Sequence, residues 1–394
     1  MQVMFTFCFL KNTFLLGFLT ALCTIMPLQA QVMPGAQDVG SYIPLLKGKK
    51  VGVVAHAASQ IYTQKNAVHL IDSLKSHGIN IVSIFAPEHG FRSREDNGAL
   101  IRDEIDSLTQ IPIISLHGEN RKPRPEHLNE IDVLLFDLQD VGARFYTYLS
   151  TLHLAMEACR ENNTPMIILD RPNPNGHYVD GPVMEDAFKG YLGKHNIPIV
   201  HGLTLGEFAK MINGEKWLNN QVQCQLTVVK NQGYTHQTPY DLPLRPSPNL
   251  PNAQAINLYP SLCLFEQTPV SIGRGTEKQF QGYGHPSFKG DYSFIPQPNF
   301  GAKKPKLAGE KCFGVDLSSH PKLNRLELKW LMKAYGDYPD KENFFSARFV
   351  KLAGTKSLEE QIQNGWSEKT IRESWEPQLS NFKKIRSNYL LYPN

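Results

Sequence analysis

The chain has 394 residues and is 41% hydrophobic, 20% charged and 10% aromatic, an ordinary globular composition that excludes fibrous, collagen-like and disordered chains. Lys plus Arg number 41 against 37 Asp plus Glu, a formal charge of +4 with no basic block, so the electrostatic footprint of a nucleic-acid binder is absent.

Residues 1–30 are set aside first. Lys11 is their only charge, and an apolar run from Phe14 to Met26 ends in Pro27, Leu28, Gln29 and Ala30. This is the pattern of a secretory signal peptide cleaved after Ala30, which predicts a periplasmic or secreted protein with no stable membrane insertion once cleaved. A membrane anchor needs roughly 20 apolar residues, reached here only by counting back across Lys11. Leu22 is too bulky a neighbour for lipoprotein processing at Cys23. The mature chain keeps Cys159, Cys224, Cys263 and Cys312, with no CxxC pair. Such a set makes no disulfide framework or zinc ribbon, and leaves buried thiols or one or two disulfides as its readings.

Between residues 50 and 170 short β-rich runs recur: Lys50–Ala55, Ile79–Phe85, Ile111–Leu116, Val133–Phe136 and Met166–Leu169. Stretches of helical spacing separate them, notably Ala67–His77 and Leu149–Asn162. Near-continuous apolar strands alternating with amphipathic helices predict a doubly wound, mostly parallel, Rossmann-like α/β sheet. Cys224–Val229 reads as a further strand, and residues 234–260 are dense in Pro and Asn. Strand-like Gly314–Leu317 and helices over 324–335, 357–364 and 371–386 complete the pattern. We place the Rossmann-like domain over 31–220 and a smaller C-terminal α/β domain over 221–394.

The residues that follow each strand carry the chemistry. His56 follows the first, Glu88 and His89 the second, His117 and Glu119 the third, Asp137 and Asp140 the fourth, and Asp170, Arg171 and Asn173 the fifth. In open α/β sheets ligands bind beyond the carboxyl ends of the strands, so these side chains are expected to share a rim. No GxxxxGK[ST], HExxH or GxSxG motif is present, and Gly273-Arg274-Gly275-Thr276 is not a dinucleotide fingerprint. No cofactor is therefore expected. A carboxylate-rich rim suits glycosidic cleavage, which needs a protonated acid and an ionised partner. His56, His89 and His117 at adjacent strand ends leave a metal-dependent hydrolase as the alternative, although none shows the close spacing of a strong metal motif. Arg144-Phe145-Tyr146-Thr147-Tyr148 adds donors and stacking surfaces, with one of the two tyrosines expected in the core and the other on the site. Thr204 and Glu207 have the spacing of a capping box beside His201.

Several blocks carry a family resemblance: Pro87-Glu88-His89-Gly90, Gly118-Glu119-Asn120-Arg121, Phe136-Asp137-Leu138-Gln139-Asp140, Arg144-Phe145-Tyr146-Thr147-Tyr148, Asp170-Arg171-Pro172-Asn173-Pro174, His201-Gly202-Leu203-Thr204 and Gly273-Arg274-Gly275-Thr276. In this order they resemble the NamZ-type exo-β-N-acetylmuramidases along essentially the whole mature chain. The resemblance implies a cleft between the two domains. It implies an exo-acting glycosidase that releases N-acetylmuramic acid from the non-reducing end of peptidoglycan-derived muramyl saccharides. Catalytic candidates are Glu88 foremost, then Glu119 and Asp140. Substrate-binding candidates are His89, Arg144, Tyr146, Tyr148, Asp170, Arg171, Asn173, His201 and Arg274. Selecting muramic acid requires a cation for its lactyl carboxylate, and Arg274 is expected to supply it because two flanking glycines let the backbone approach a ligand.

Overall fold

The computed structural model describes residues 32–62, 66–88, 90–91, 104–118 and 120–394. The predicted leader, His89 and Glu119 lie outside the described residues. Val32–Asn394 forms one compact unit.

Its centre is a seven-stranded sheet of β1 (Lys50–Ala55), β2 (Asn80–Ala86), β3 (Glu104–Ile105), β4 (Pro112–Ser115), β5 (Val133–Asp137), β6 (Met166–Leu169) and β7 (Leu226–Val229). The strands run in the order β7-β6-β5-β1-β2-β4-β3, and every pairing is parallel except that of β3 with β4. Successive side chains leave opposite faces, and both faces are covered. Val53, Leu135 and Ile167 enter one apolar core, whereas Val54, Phe136 and Ile168 enter the other. This two-sided burial explains why the strands read as unbroken apolar runs.

The sheet grows from β1 towards β2 and β4, then returns to β1's other side for β5, β6 and β7. That reversal opens a crevice beyond the carboxyl ends of β1 and β5, the usual ligand position in such sheets. The edge strand β7 pairs with β6 in register Val228 to Ile168, so the sheet draws its last strand from beyond residue 220.

The helix expected over 67–77 is shorter. Ala67–His69 pairs with Gln60–Tyr62 as a small antiparallel hairpin, and only Leu70–Ser76 is helical. His69 ends the strand and caps the helix, its Nδ1 accepting the Ile71 amide at 3.2 Å. β-Branched Val68 sits opposite Ile61, which suits a strand better than a first helical turn.

Helices α1 (Tyr148–Glu161) and α2 (Leu205–Gly214) pack in the core that also receives Phe136. In the C-terminal part, α3 (Ala253–Leu262) runs into a 3₁₀ segment, Cys263–Gln267. Beyond it lie an antiparallel sheet of Gly282–His285, Cys312–Asp316 and Tyr292–Phe294, and the long helix α4 (Glu368–Ser387). Cys159, Cys224, Cys263 and Cys312 are free and buried. Among the described residues no helix is long and apolar enough to cross a membrane.

Candidate active site

Glu88 stands two residues past β2, its side chain half-buried. The Thr147 hydroxyl donates to its Oε2 at 2.9 Å. The Tyr148 hydroxyl donates to the Glu88 carbonyl at 3.4 Å and lies 3.2 Å from Nδ1 of His56. Nε2 of His56 accepts the Gln139 amide at 3.1 Å, which leaves the neutral ring's proton on Nδ1, facing the Tyr148 oxygen. Burial, reinforced by the Glu88 carboxylate, pushes the Tyr148 phenol well above its usual range, so it is a neutral donor. With both ring nitrogens engaged by protein groups, His56 is not disposed as a metal ligand. Among the described residues no group of three His, Cys, Asp or Glu is placed to hold a metal ion.

Glu88, Tyr146 and Tyr148 form one side of a cavity of about 210 Å³ whose other side is Tyr259, Glu266, Arg274 and Phe280. The two tyrosines do not divide between core and site. Tyr146 is 7% and Tyr148 1% exposed, yet both line the cavity, because residues 144–147 are a turn leading into α1 and strand alternation does not apply. Tyr146 donates to the Pro246 carbonyl at 2.8 Å and packs edge-on against Tyr148.

Arg274 projects from a tight loop and donates through Nε to Glu266 Oε1 at 2.7 Å, with its guanidinium over the Phe280 ring at 5.0 Å. Burial works against its charge, and Glu266 more than offsets this, so its pKa is raised. The flanking glycines serve the loop rather than a ligand. Both have left-handed backbones, and a Cβ on Gly273 would meet the Lys278 carbonyl at 2.7 Å, one on Gly275 the Gln297 carbonyl at 2.5 Å.

The other candidates lie behind the cavity. Arg144 is 1% exposed and donates to four carbonyls, those of Pro182, Ile197, Leu352 and Ala353, at 2.7–2.9 Å. It ties chain segments together through its terminal amino groups, and its buried Nε is left without a hydrogen-bond partner among the described residues. Arg171 grips Asp137 through two bonds of 2.5 and 2.8 Å. Asp170 accepts from Thr204, Tyr392 and Gly206, and burial raises its pKa to about 7. Asn173 is spent on Leu203 and Asn175. Asp140, offered as a catalytic partner, is buried and accepts the Gly142 amide at 2.6 Å. His201 faces that same carboxylate at 3.6 Å and is itself fully buried. Thr204 and Glu207 form the expected capping box. Arg171, Asp170 and Asn173 are thus bonded to neighbouring protein groups at the strand ends, whereas Asp140 Oδ1 and His201 Nε2 are buried without a hydrogen-bond partner among the described residues.

Sequence reasoning missed Thr147, Glu266, Tyr259 and Phe280. Thr147 lay inside a quoted block without a role. The other three come from the C-terminal half, where no motif marked them as facing Glu88.

Residues 51–254 match the family described as Exo-beta-N-acetylmuramidase NamZ, N-terminal, and residues 257–392 match its C-terminal counterpart. The chain belongs to the NamZ family. It is 36% identical over 373 residues, 89% of each chain, to the Peptidoglycan beta-N-acetylmuramidase NamZ of Bacillus subtilis (strain 168). Two crystal structures of DUF1343 family proteins from Bacteroides fragilis NCTC 9343 share the fold. One has a TM-score of 0.85 at 43% identity and the other 0.78 at 28%, each covering 92% of this chain and 99% of its own. In this NamZ-family chain the cavity joins the two matched regions: Glu88, Tyr146 and Tyr148 come from the first, Tyr259, Glu266 and Arg274 from the second.

Proposed function

We propose that the protein is an exo-acting β-N-acetylmuramidase that removes N-acetylmuramic acid from the non-reducing end of peptidoglycan fragments, with Glu88 as its acid/base group. The observation that carries this reading is Glu88 on the wall of a small aromatic cavity, in a chain that shares its family with a peptidoglycan muramidase. Cleavage of a glycosidic bond requires a proton for the leaving oxygen, and a carboxyl group on the cavity wall supplies it. Tyr146, Tyr148 and Tyr259 provide ring faces for a sugar. At about 210 Å³, the cavity is smaller than the roughly 300–1,000 Å³ of pockets that enclose drug-sized ligands. A single terminal sugar suits that size better than a glycan chain, which favours exo cleavage.

Thr147 holds one Glu88 oxygen and Tyr148 the backbone behind it, so the carboxyl group is oriented before substrate arrives. Incubating the purified protein with a muramyl disaccharide and weighing the products tests the reaction, with free N-acetylmuramic acid as the expected product. Glu88→Gln keeps the shape and removes proton transfer, so kcat is expected to fall about 10²–10⁴-fold. Near-normal kcat in the folded variant would remove Glu88 from this role. The apolar run that ends at Ala30 supports export, which would bring the enzyme to its substrate in the periplasm or outside the cell; a native N-terminus at Gln31 is the expected sequencing result, and one at Met1 would overturn export.

A further inference from the structure

We infer that Arg274, held by Glu266 and backed by Lys306, forms a carboxylate-binding subsite that reads the lactyl group of muramic acid. The inference rests on the proposed muramidase reading, because only that substrate brings a carboxylate on a sugar into this cavity. Three arginines, Arg144, Arg171 and Arg274, are among the substrate-binding candidates. Arg144 spends its donors on four backbone carbonyls, and Arg171 is closed in a two-bond pair with Asp137. Only Arg274 lines the cavity that Glu88 lines.

The geometry leaves Arg274 donors in hand. Its hydrogen bond to Glu266 uses Nε, and among the described residues its terminal amino groups have no hydrogen-bond partner. A guanidinium gripped on one edge and open on the other is pre-aimed for a second carboxylate, since its planar fork donates two parallel bonds without reorganising. Phe280 beneath the plane restricts rotation further.

Charge bookkeeping points the same way. The ammonium of Lys306 gathers the carbonyls of Phe265 at 3.1 Å, Glu266 at 3.5 Å, Val270 at 3.2 Å and Thr268. Lys306 thereby fixes the 3₁₀ segment that carries Glu266. Burial lowers its pKa, and it interacts electrostatically with both Glu266 and Arg274. Two cations therefore act on Glu266 here, and an anionic ligand group interacts with them more favourably than the 3-hydroxyl of N-acetylglucosamine does.

The test pairs a substrate change with a residue change. Wild type and Arg274→Met are assayed on a chromogenic β-N-acetylmuraminide and on the same glycoside with its lactyl carboxylate converted to the carboxamide, which preserves size and removes charge. Wild type is expected to prefer the carboxylate in kcat/KM by about ten- to a hundred-fold, the worth of one charge-assisted contact. Arg274→Met should lose that preference, its kcat/KM values for the two substrates converging. Equal loss on both substrates, or a preference that survives in Arg274→Met, would overturn the subsite. If Arg274→Met fails to fold, Arg274→Lys replaces it: retained charge without the fork should shrink the preference, and an undiminished one counts against the inference. Failure of the underlying reading looks different, because wild type would then hydrolyse neither muraminide.

Discussion

Arg144 and Arg274 show how little a residue's type says about its task until its donors are counted. Both stand in family blocks and both are largely enclosed, yet one faces carbonyls and the other a cavity. Burial lowers the Arg144 pKa to about 9. Its guanidinium joins Pro182 and Ile197 to Leu352 and Ala353, segments about 150 residues or more apart. Close packing leaves no alternative side chain room: a Cβ on Gly354 would lie 2.5 Å from Arg144 Nη2. Arg144→Met would take a donor from four carbonyls, of which that of Ile197 keeps the Met184 amide at 3.1 Å, at about 1–3 kcal/mol for each group left unsatisfied where water cannot reach. A loss of at least about 3 kcal/mol in urea unfolding is therefore expected, with KM unchanged in whatever fraction remains folded. A raised KM at unchanged stability would return Arg144 to the substrate site. Glu88 was legible in the sequence because its block, its position past a strand and its chemistry agreed. Glu266 and Lys306 were not, because their partners are fixed only by the turn after α3 and the loop at 306.

At the scale of elements, the strands were readable because two-sided burial writes an unbroken apolar run. The hairpin at 60–69 was not, since Val68 and Leu74 fit a helical stripe equally well and only pairing with Ile61 separates the two readings. Helix α1 carries a further consequence of burial. His153 on α1 meets His195, which precedes the strand Pro198–Val200, at 3.0 Å, and His195 stacks on Trp217 at 4.3 Å. Glu157, Lys122, Lys194 and Lys189 are the charged groups that act on them. Burial, then Lys194, lowers the His153 pKa to about 4, and burial, then His153, lowers that of His195 well below its normal value. Both rings thus stay neutral when folded at pH values where the unfolded chain would protonate them. The unfolded state binds more protons below about pH 6.5, so stability rises with pH through this window and is lost on acidification from about pH 6.5 towards 4. Each ring contributes a slope of up to about 1.4 kcal/mol per pH unit. His153→Gln should flatten the acid limb of a melting-temperature profile, and an unchanged limb would show that the rings do not set it.

The whole molecule is closed by its last residues. Tyr392 donates to the buried carboxylate of Asp170 at 2.6 Å and accepts the Asn231 amide at 2.9 Å. The Leu391 amide reaches Glu207 at 2.8 Å, and the Pro393 carbonyl accepts from the His236 amide at 2.8 Å. From the end of α4, Arg386 donates to the Gly202 carbonyl at 2.6 Å. The chain's end is thus fastened to the carboxyl end of β6 and the start of α2, elements that belong to the other matched half. Glu207 and Asp170 are fully buried, so each depends on these donors to offset desolvation. Removing the Tyr392 hydroxyl by Tyr392→Phe keeps the ring packing and deletes all its bonds, including the one it accepts from Asn231 Nδ2 at 3.1 Å. The cost is expected at about 1–3 kcal/mol, read as a lower unfolding midpoint at an unchanged denaturant slope. Deleting Leu391–Asn394 should cost more, because Glu207 then loses the Leu391 amide as well. Tyr392 does not line the cavity, so kcat of folded Tyr392→Phe should match wild type. An unfolding midpoint that does not move would mean that water satisfies Asp170 as well as the phenol does, and that the two halves are joined without their terminal fastening.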